Sequence, residues 1–353
     1  MSLFKEQSKE IQWNDFIGNW IQWDAAHYIR ISEGYKSFDI NGDYSTLVFF
    51  PLYSWLLRFL RLIISSAAVS GLLISSVLSS FACVFMYKLV CIDYSKTTAQ
   101  TSVILLCLFP FGFFYSAIMT ESTFLLTSVL TLYFIRLHKW HFAGICGLLA
   151  ALSRSAGVFL VFPAAVELLE ETKLLGNLKN VKIWGNTVKK GLWLLLLPLG
   201  TLIYLFINFQ ITGDPFYFFE MEEKYWHQVS QPFFKTFSSF WNIITGKGHS
   251  ISVLMAAFLP GFVCLLSAYA VLLKGLTKHK TMYICWLVIY IIINTTMSWP
   301  LSFCRYIACG VPLYIIIADE CEKNKKLGMA TMISWSILFG VYFTGYLMTK
   351  QIM

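Results

Sequence analysis

The sequence predicts an all-α polytopic membrane protein, and three observations carry that expectation. Hydrophobic residues make up 57% of the 353 and charged residues only 13%, where a soluble domain carries about 25% charged. Apolar runs long enough for a bilayer, about 20 residues or somewhat fewer when other helices flank them, follow one another from residue 67 onward. The basic residues fall in short clusters between those runs, so the net charge of +8 reads as membrane topology and not as a nucleic-acid surface.

Residues 1–45 are polar and carry a net charge of −3, as expected of a tail on the extracytoplasmic side. Within them Trp13, Phe16, Ile17, Trp20, Ile21 and Trp23 recur at three- and four-residue spacing, which predicts an amphipathic helix lying on the membrane surface. A second in-plane helix is expected over Phe49–Leu62, because Arg58 and Arg61 are too costly for a span. No basic segment followed by an apolar core opens the chain, so no cleavable signal peptide is expected.

Ten spans are then expected, near 67–91, 100–118, 122–137, 141–154, 156–169, 191–211, 251–273, 281–298, 305–318 and 327–347. The stretch at 141–169, interrupted by Arg154, reads either as two short spans or as one long tilted one. With residues 1–66 outside, the loops at 92–99, 138–140, 170–190, 274–280 and 319–326 fall inside, and 15 of the 27 basic residues lie in or beside them. This gives a single membrane domain over 1–353. Its parts are an extracytoplasmic loop at 1–66, a first span group at 67–211, an outer loop at 212–250 and a second span group at 251–347. Nine cysteines, an odd number without metal-like spacing, read as apolar packing residues.

That topology collects Asp24, His27, Glu121, Arg154, Asp214 and Arg305 at the outer ends of spans or in outer loops. Charge near membrane depth is expensive and marks a candidate site with a partner. Each residue also has a plainer reading. Asp24, between Trp23 and Ala25, is a general base raised by desolvation or an acid of an interfacial helix. Glu121 is a site carboxylate or a helix cap. Arg154 and Arg305 are anion ligands or counter-charges, Asp214 in Gly213-Asp214-Pro215 is a site residue or a turn former, and His27 shapes its loop or titrates. Phe216, Tyr217, Phe218, Phe219, Tyr225 and Trp226 stack on sugars or sit in the interface.

Taken in order, these segments resemble the PIG-V-like mannosyltransferases of the GT-C superfamily. Trp23-Asp24-Ala25-Ala26-His27-Tyr28 is similar to the family's Trp-Asp motif, and Ile31-Ser32-Glu33-Gly34-Tyr35 and Phe49-Phe50-Pro51-Leu52-Tyr53 to its next landmarks. Thr120-Glu121-Ser122, Ser153-Arg154-Ser155-Ala156-Gly157, Gly213-Asp214-Pro215 and Arg305-Tyr306 resemble later ones. The resemblance implies a GT-C-type fold and an inverting transferase that moves a sugar, mannose foremost, from a polyprenyl- or dolichyl-phosphate donor on the extracytoplasmic side of a bacterial plasma membrane. Asp24 would be the base, Arg154 and Arg305 the donor-phosphate ligands, and His27, Glu121, Tyr306 and Asp214 supporting residues. The acceptor would be a glycolipid, a wall polymer or a protein.

Two departures stand out: Ala25 replaces the family's Gly or Ser, and no span precedes the motif. Three expectations follow: the chain dispenses with that helix, the given start lies downstream of the natural one, or a partner subunit supplies it. No cofactor is expected, and the spacing of Asp24, Glu121 and Asp214 requires no metal ion. Two other classes fit the composition: a transporter or flippase for a lipid-linked sugar, although no internal repeat is evident, and a non-catalytic subunit that binds such a lipid.

Overall fold

The computed structural model describes residues 17–35, 42–246, 251–298, 300–348 and 352. Trp13 and Phe16 of the first amphipathic pattern lie outside them. Among the described residues the fold is helical throughout, with one isolated β-bridge between Ser230 and Met297.

The first loop holds two short helices, α1 (Ala25–Ile31) and α2 (Pro51–Leu60). The first begins later than the aromatic periodicity suggests. Residues 18–20 form a single 3₁₀ turn, and Trp23 takes a left-handed φ of 51°. Packing decides this, because Trp20 is drawn down against Phe343 and Tyr346, with ring centroids 5.5 and 5.9 Å away. The second helix starts where a proline suits the first turn, at Pro51.

The first span group comprises α3 (Ala67–Asp93), α4 (Lys96–Leu108), α5 (Glu121–Arg136), α6 (Trp140–Ser153), α7 (Val161–Thr172), α8 (Val181–Gly191) and α9 (Leu196–Thr212). After α9 come α10 (Tyr217–Trp226) and α11 (Lys235–Thr245). The rest are α12 (Ile251–Val253), which runs through a π-turn into α13 (Leu259–Gly275), then α14 (Thr281–Thr295), α15 (Phe303–Ile307), α16 (Val311–Lys323) and α17 (Lys325–Leu347). Side-chain caps mark several starts: Ser66 accepts from Val69 N, Ser95 from Thr98 N and Asn324 from Leu327 N.

Each of the ten apolar segments contains helix. By length and composition four helical runs suffice to cross a membrane: Ala67–Asp93, Val181–Thr212, Leu254–Gly275 and Lys325–Leu347. A fifth is reached if the pair at Pro300–Ile307 and Val311–Lys323, bent by 62°, counts as one. The chain is a multi-pass membrane protein. Three of its apolar segments are broken rather than continuous: at the turn Gly112–Tyr115 after α4, at Ser155–Leu160 between α6 and α7, and between α15 and α16. Irregular backbone at such depth is tolerated where protein surrounds it or where it lines a cavity.

The loops assigned to one side do gather at one end. There Arg136 pairs doubly with Asp93 (2.6 and 2.8 Å) and also with Glu167, while His138 Nε2 lies 3.0 Å from Glu167. Lys190 reaches Glu171 (2.5 Å) and Tyr94 meets His279 (2.7 Å). Ser95 and Thr98 both bind Glu322. Since α5 begins at Glu121 and ends at Arg136, its sixteen residues set this network about 22 Å from the opposite end.

Candidate active site

At that opposite end the breaks in the helices deliver four charged side chains to one place. Asp24 precedes α1, but its side chain does not cap the helix. The carboxylate turns instead to Arg305, whose Nη1 donates to Oδ2 at 2.6 Å. Arg305 Nε donates to Glu121 Oε1 at 2.5 Å, and Arg154 Nη1 stands 3.5 Å from that same oxygen. The four form an alternating row, Asp24, Arg305, Glu121 and Arg154, whose formal charges cancel. Its middle is sealed, with Glu121 and Arg305 side chains 0% and 2% exposed, while its ends reach outward, with Asp24 at 20% and Arg154 at 16%. A buried charge survives only when paired and hydrogen-bonded, and the sealed pair meets that condition while the two ends remain partly exposed.

The sequence around each residue explains its place. Glu121 opens α5, where a carboxylate also favours the helix dipole. Tyr28 Oη meets Thr120 Oγ1 (3.3 Å), which ties α1 to the residue before Glu121, and Ser54 Oγ donates to Tyr28 O (3.1 Å), which ties α1 to α2. Arg154 sits in extended backbone just past α6, and the chain then folds back tightly. A Cβ on Gly157 would lie 2.2 Å from the Ala150 carbonyl, so only glycine permits this turn.

Arg305 rides on the bend between α15 and α16, where backbone carbonyls lose their helical partners. Phenols replace those partners: Tyr115 and Tyr314 both donate to Ala308 O (2.6 and 2.7 Å), and Tyr290 donates to Tyr306 O (2.7 Å). The Tyr306 ring is near both guanidinium groups, 4.5 Å from Arg154 and 5.6 Å from Arg305, a favourable cation–π arrangement.

Five of the sequence-derived candidates therefore meet: Asp24, Glu121, Arg154, Arg305 and Tyr306. His27 flanks them on α1. Its ring stacks on Phe49 (5.1 Å) and meets the edge of Trp226 (5.8 Å). Burial lowers its pKa, opposed by Asp24 and assisted by Arg30, which keeps the imidazole neutral near pH 7. Asp214 is a correction. It is exposed, and its Oδ1 accepts from Phe216 N (2.8 Å), so the side chain is spent on stabilising its own turn after α9 and does not join the row.

Sequence reasoning missed a second feature, the attachment of α10 to the first loop. The Asp43 carboxylate accepts from Tyr225 Oη (2.7 Å), Tyr217 Oη (3.4 Å) and Lys224 Nζ. Of the aromatic group noted in this loop, Tyr217 and Tyr225 thus serve the tether, Trp226 packs on Phe49 (5.5 Å), and Phe216 and Phe219 are exposed. The lone acid at 43 was the available signal, but nothing in its neighbours pointed to α10. Among the described residues no group of three or more metal-binding side chains is present.

The sequence profile of the dolichyl-phosphate-mannose-protein mannosyltransferase family matches residues 50–208, a stretch that includes Glu121 and Arg154 but neither Asp24 nor Arg305. The crystal structure of ArnT from Cupriavidus metallidurans bound to undecaprenyl phosphate superposes with a TM-score of 0.58 at 13% identity, covering 96% of this chain. The fold is of GT-C type. The chain spans 65% of the length of ArnT. The Archaeoglobus fulgidus oligosaccharyltransferase in complex with zinc and sulfate aligns over 96% of this chain and 49% of its own, at 13% identity and a TM-score of 0.45. No curated protein sequence matches.

Proposed function

We propose that this GT-C-type protein is an inverting glycosyltransferase that moves a sugar, mannose foremost, from a polyprenyl- or dolichyl-phosphate to an acceptor hydroxyl. The observation that carries the reading is the single row formed by Asp24, Arg305, Glu121 and Arg154. The name of the matching family, the undecaprenyl phosphate held by ArnT and the PIG-V-like motifs all favour a lipid-phosphate donor. The basic end of the bundle suits the cytoplasm and the acidic first loop suits the outside, so the site faces outward from a bacterial plasma membrane.

A sugar on a lipid phosphate already has a good leaving group, and the work left to the protein is deprotonation, alignment and charge stabilisation. Asp24 fits the first task. Its Oδ2 is fixed by Arg305, and Oδ1 takes no hydrogen bond among the described residues. Oδ1 accepts the acceptor's hydroxyl proton as that oxygen bonds to the anomeric carbon from the face opposite the phosphate. The carbon–oxygen bond to the phosphate breaks, and its electron pair leaves with the lipid phosphate. Arg154 is the better placed phosphate ligand, since its side chain is partly exposed where that of Arg305 is sealed, and guanidinium donors match phosphate oxygens. Arg305, inaccessible and committed to two carboxylates, fixes Asp24 and adds positive field to the site.

The test is transfer by the purified protein in nanodiscs from a synthetic polyprenyl-phosphate-mannose, comparing wild type with Asp24→Asn. Loss of transfer with the fold retained is expected. Unchanged transfer would remove Asp24 from the mechanism.

A further inference from the structure

The row of charges occupies one side of Asp24, and the other side is differently built. One turn along α1, His27 presents its ring to Phe49, and α10 brings in Trp226 against both, at 5.8 and 5.5 Å. These rings come from three separate stretches of chain, and the Asp43 tether holds the most distant of them. None of this is demanded by a sealed core, because His27 and Trp226 are only half-buried.

Two polar groups here lack an internal explanation. His27 Nδ1 is shielded from solvent and has no hydrogen-bond partner. Glu222 lies four residues before Trp226, hence on the same face of α10, and its half-buried carboxyl has no hydrogen-bond or ion-pair partner among the described residues. Burial alone pushes that carboxyl up to about 7. A half-buried carboxyl without a partner costs free energy, and a ligand hydroxyl that bonds to it relieves that cost.

The chemistry selects the ligand. Aromatic faces and edges accept a flat apolar surface, and a carboxyl and an imidazole nitrogen take hydroxyl groups. A pyranose offers both, C–H faces and a rim of hydroxyls. A phosphate is not selected here, because a carboxyl offers it no cation and the neighbouring Lys224 is already engaged with Asp43. We propose that the face formed by His27, Phe49, Trp226 and Glu222 is a pyranose subsite for the sugar of the acceptor, on the side of Asp24 away from Arg154. Its assignment to the acceptor rests on the transferase reading, whereas its affinity for a pyranose does not.

The experiment therefore reads binding and transfer separately. Saturation-transfer NMR of octyl α-D-mannopyranoside is recorded against octanol, with the full-length protein in nanodiscs, for wild type, Asp24→Asn, Trp226→Leu and Glu222→Gln. Pyranose contacts should appear in wild type and in Asp24→Asn. They should weaken about tenfold in affinity in Trp226→Leu, the worth of a lost aromatic contact. They should also weaken in Glu222→Gln, which keeps the side-chain shape and guards against a misfolded tryptophan variant. In transfer assays the same two variants should raise KM for the mannoside and leave KM for the lipid donor unchanged. Absence of pyranose contacts in wild type, or contacts indifferent to both substitutions, overturns the subsite. A shift in donor KM instead overturns its assignment to the acceptor. Pyranose binding in a wild type that transfers nothing upholds the subsite and sinks the transferase reading alone.

Discussion

Replacing Glu121 with glutamine is the most direct probe of the charge row. The substitution preserves shape and one acceptor oxygen but removes a negative charge from a place where the side chain is wholly inaccessible and its main partner, Arg305, is 2% exposed. Two guanidinium groups then face Asp24 alone, and the row acquires a net positive charge. Surface ion pairs are worth about 0–1 kcal/mol, but removing one member of a buried pair costs about 3–5 kcal/mol, because the partner stays desolvated. Glu121→Gln is therefore expected to lower the unfolding free energy in mixed micelles by that amount. Adding Arg305→Gln restores neutrality, since Asp24 and Arg154 remain, so the double variant should be more stable than the sum of the singles by about 1–3 kcal/mol. A single substitution that costs under about 1 kcal/mol, or a strictly additive pair, refutes the idea that the sealed carboxylate and guanidinium organise the site.

Three further outcomes are expected. Arg154→Gln should cost about 2–4 kcal/mol of transition-state stabilisation, the usual worth of one fixed donor to developing charge, read as a fall in kcat/KM for the lipid donor with the fold intact. Glu222 rises from an ordinary 4.5 to about 7 on burial, so the docking of α10 should be firm below about pH 4.5 and should weaken as the pH climbs to 7. The loss is at most ~3 kcal/mol at ~1.4 kcal/mol per pH unit. Hydrogen exchange of α10 at pH 5 and pH 8, corrected for intrinsic rates, checks this, and Glu222→Gln should flatten the difference that Asp43, Lys224 and His27 do not themselves produce. At the far end of α5, Arg136→Gln strands Asp93 and Glu167 and should destabilise the protein by about 3–5 kcal/mol, while the specific activity of the folded fraction stays unchanged.

The helical architecture was legible in the sequence because a bilayer imposes it: runs such as 67–91 and 327–347 must be apolar and must satisfy their own backbone. The second in-plane helix, expected over Phe49–Leu62, is found at Pro51–Leu60. What escaped depended on packing between distant segments. The aromatic spacing around Trp20 predicts a helix, but contact with Phe343 and Tyr346 turns the backbone at Trp23 and moves the start to Ala25. The site itself was half readable. Charges at the ends of spans nominated Asp24, Glu121, Arg154 and Arg305, but only coordinates separate the inaccessible Arg305 from the reachable Arg154. Asp214 looked equivalent to them until its carboxylate proved to be spent on the next turn. Asp43 and Glu222 escaped notice because their significance lies in a helix docking that no local pattern encodes.

The bond between Arg305 and Glu121 joins residues 184 positions apart, and this bears on how the molecule is made. At about 5–20 residues per second, the ribosome delivers the arginine roughly 10–40 s after the glutamate. Throughout that interval the nascent first half holds a carboxylate whose eventual counter-ion has not been synthesised. Arg154, only 33 residues behind it and 3.5 Å from it in the finished protein, is a cation that can neutralise it in that interval. Chains truncated before residue 305 should thus persist in the membrane when Arg154 is present and fall to quality-control proteases when it is replaced.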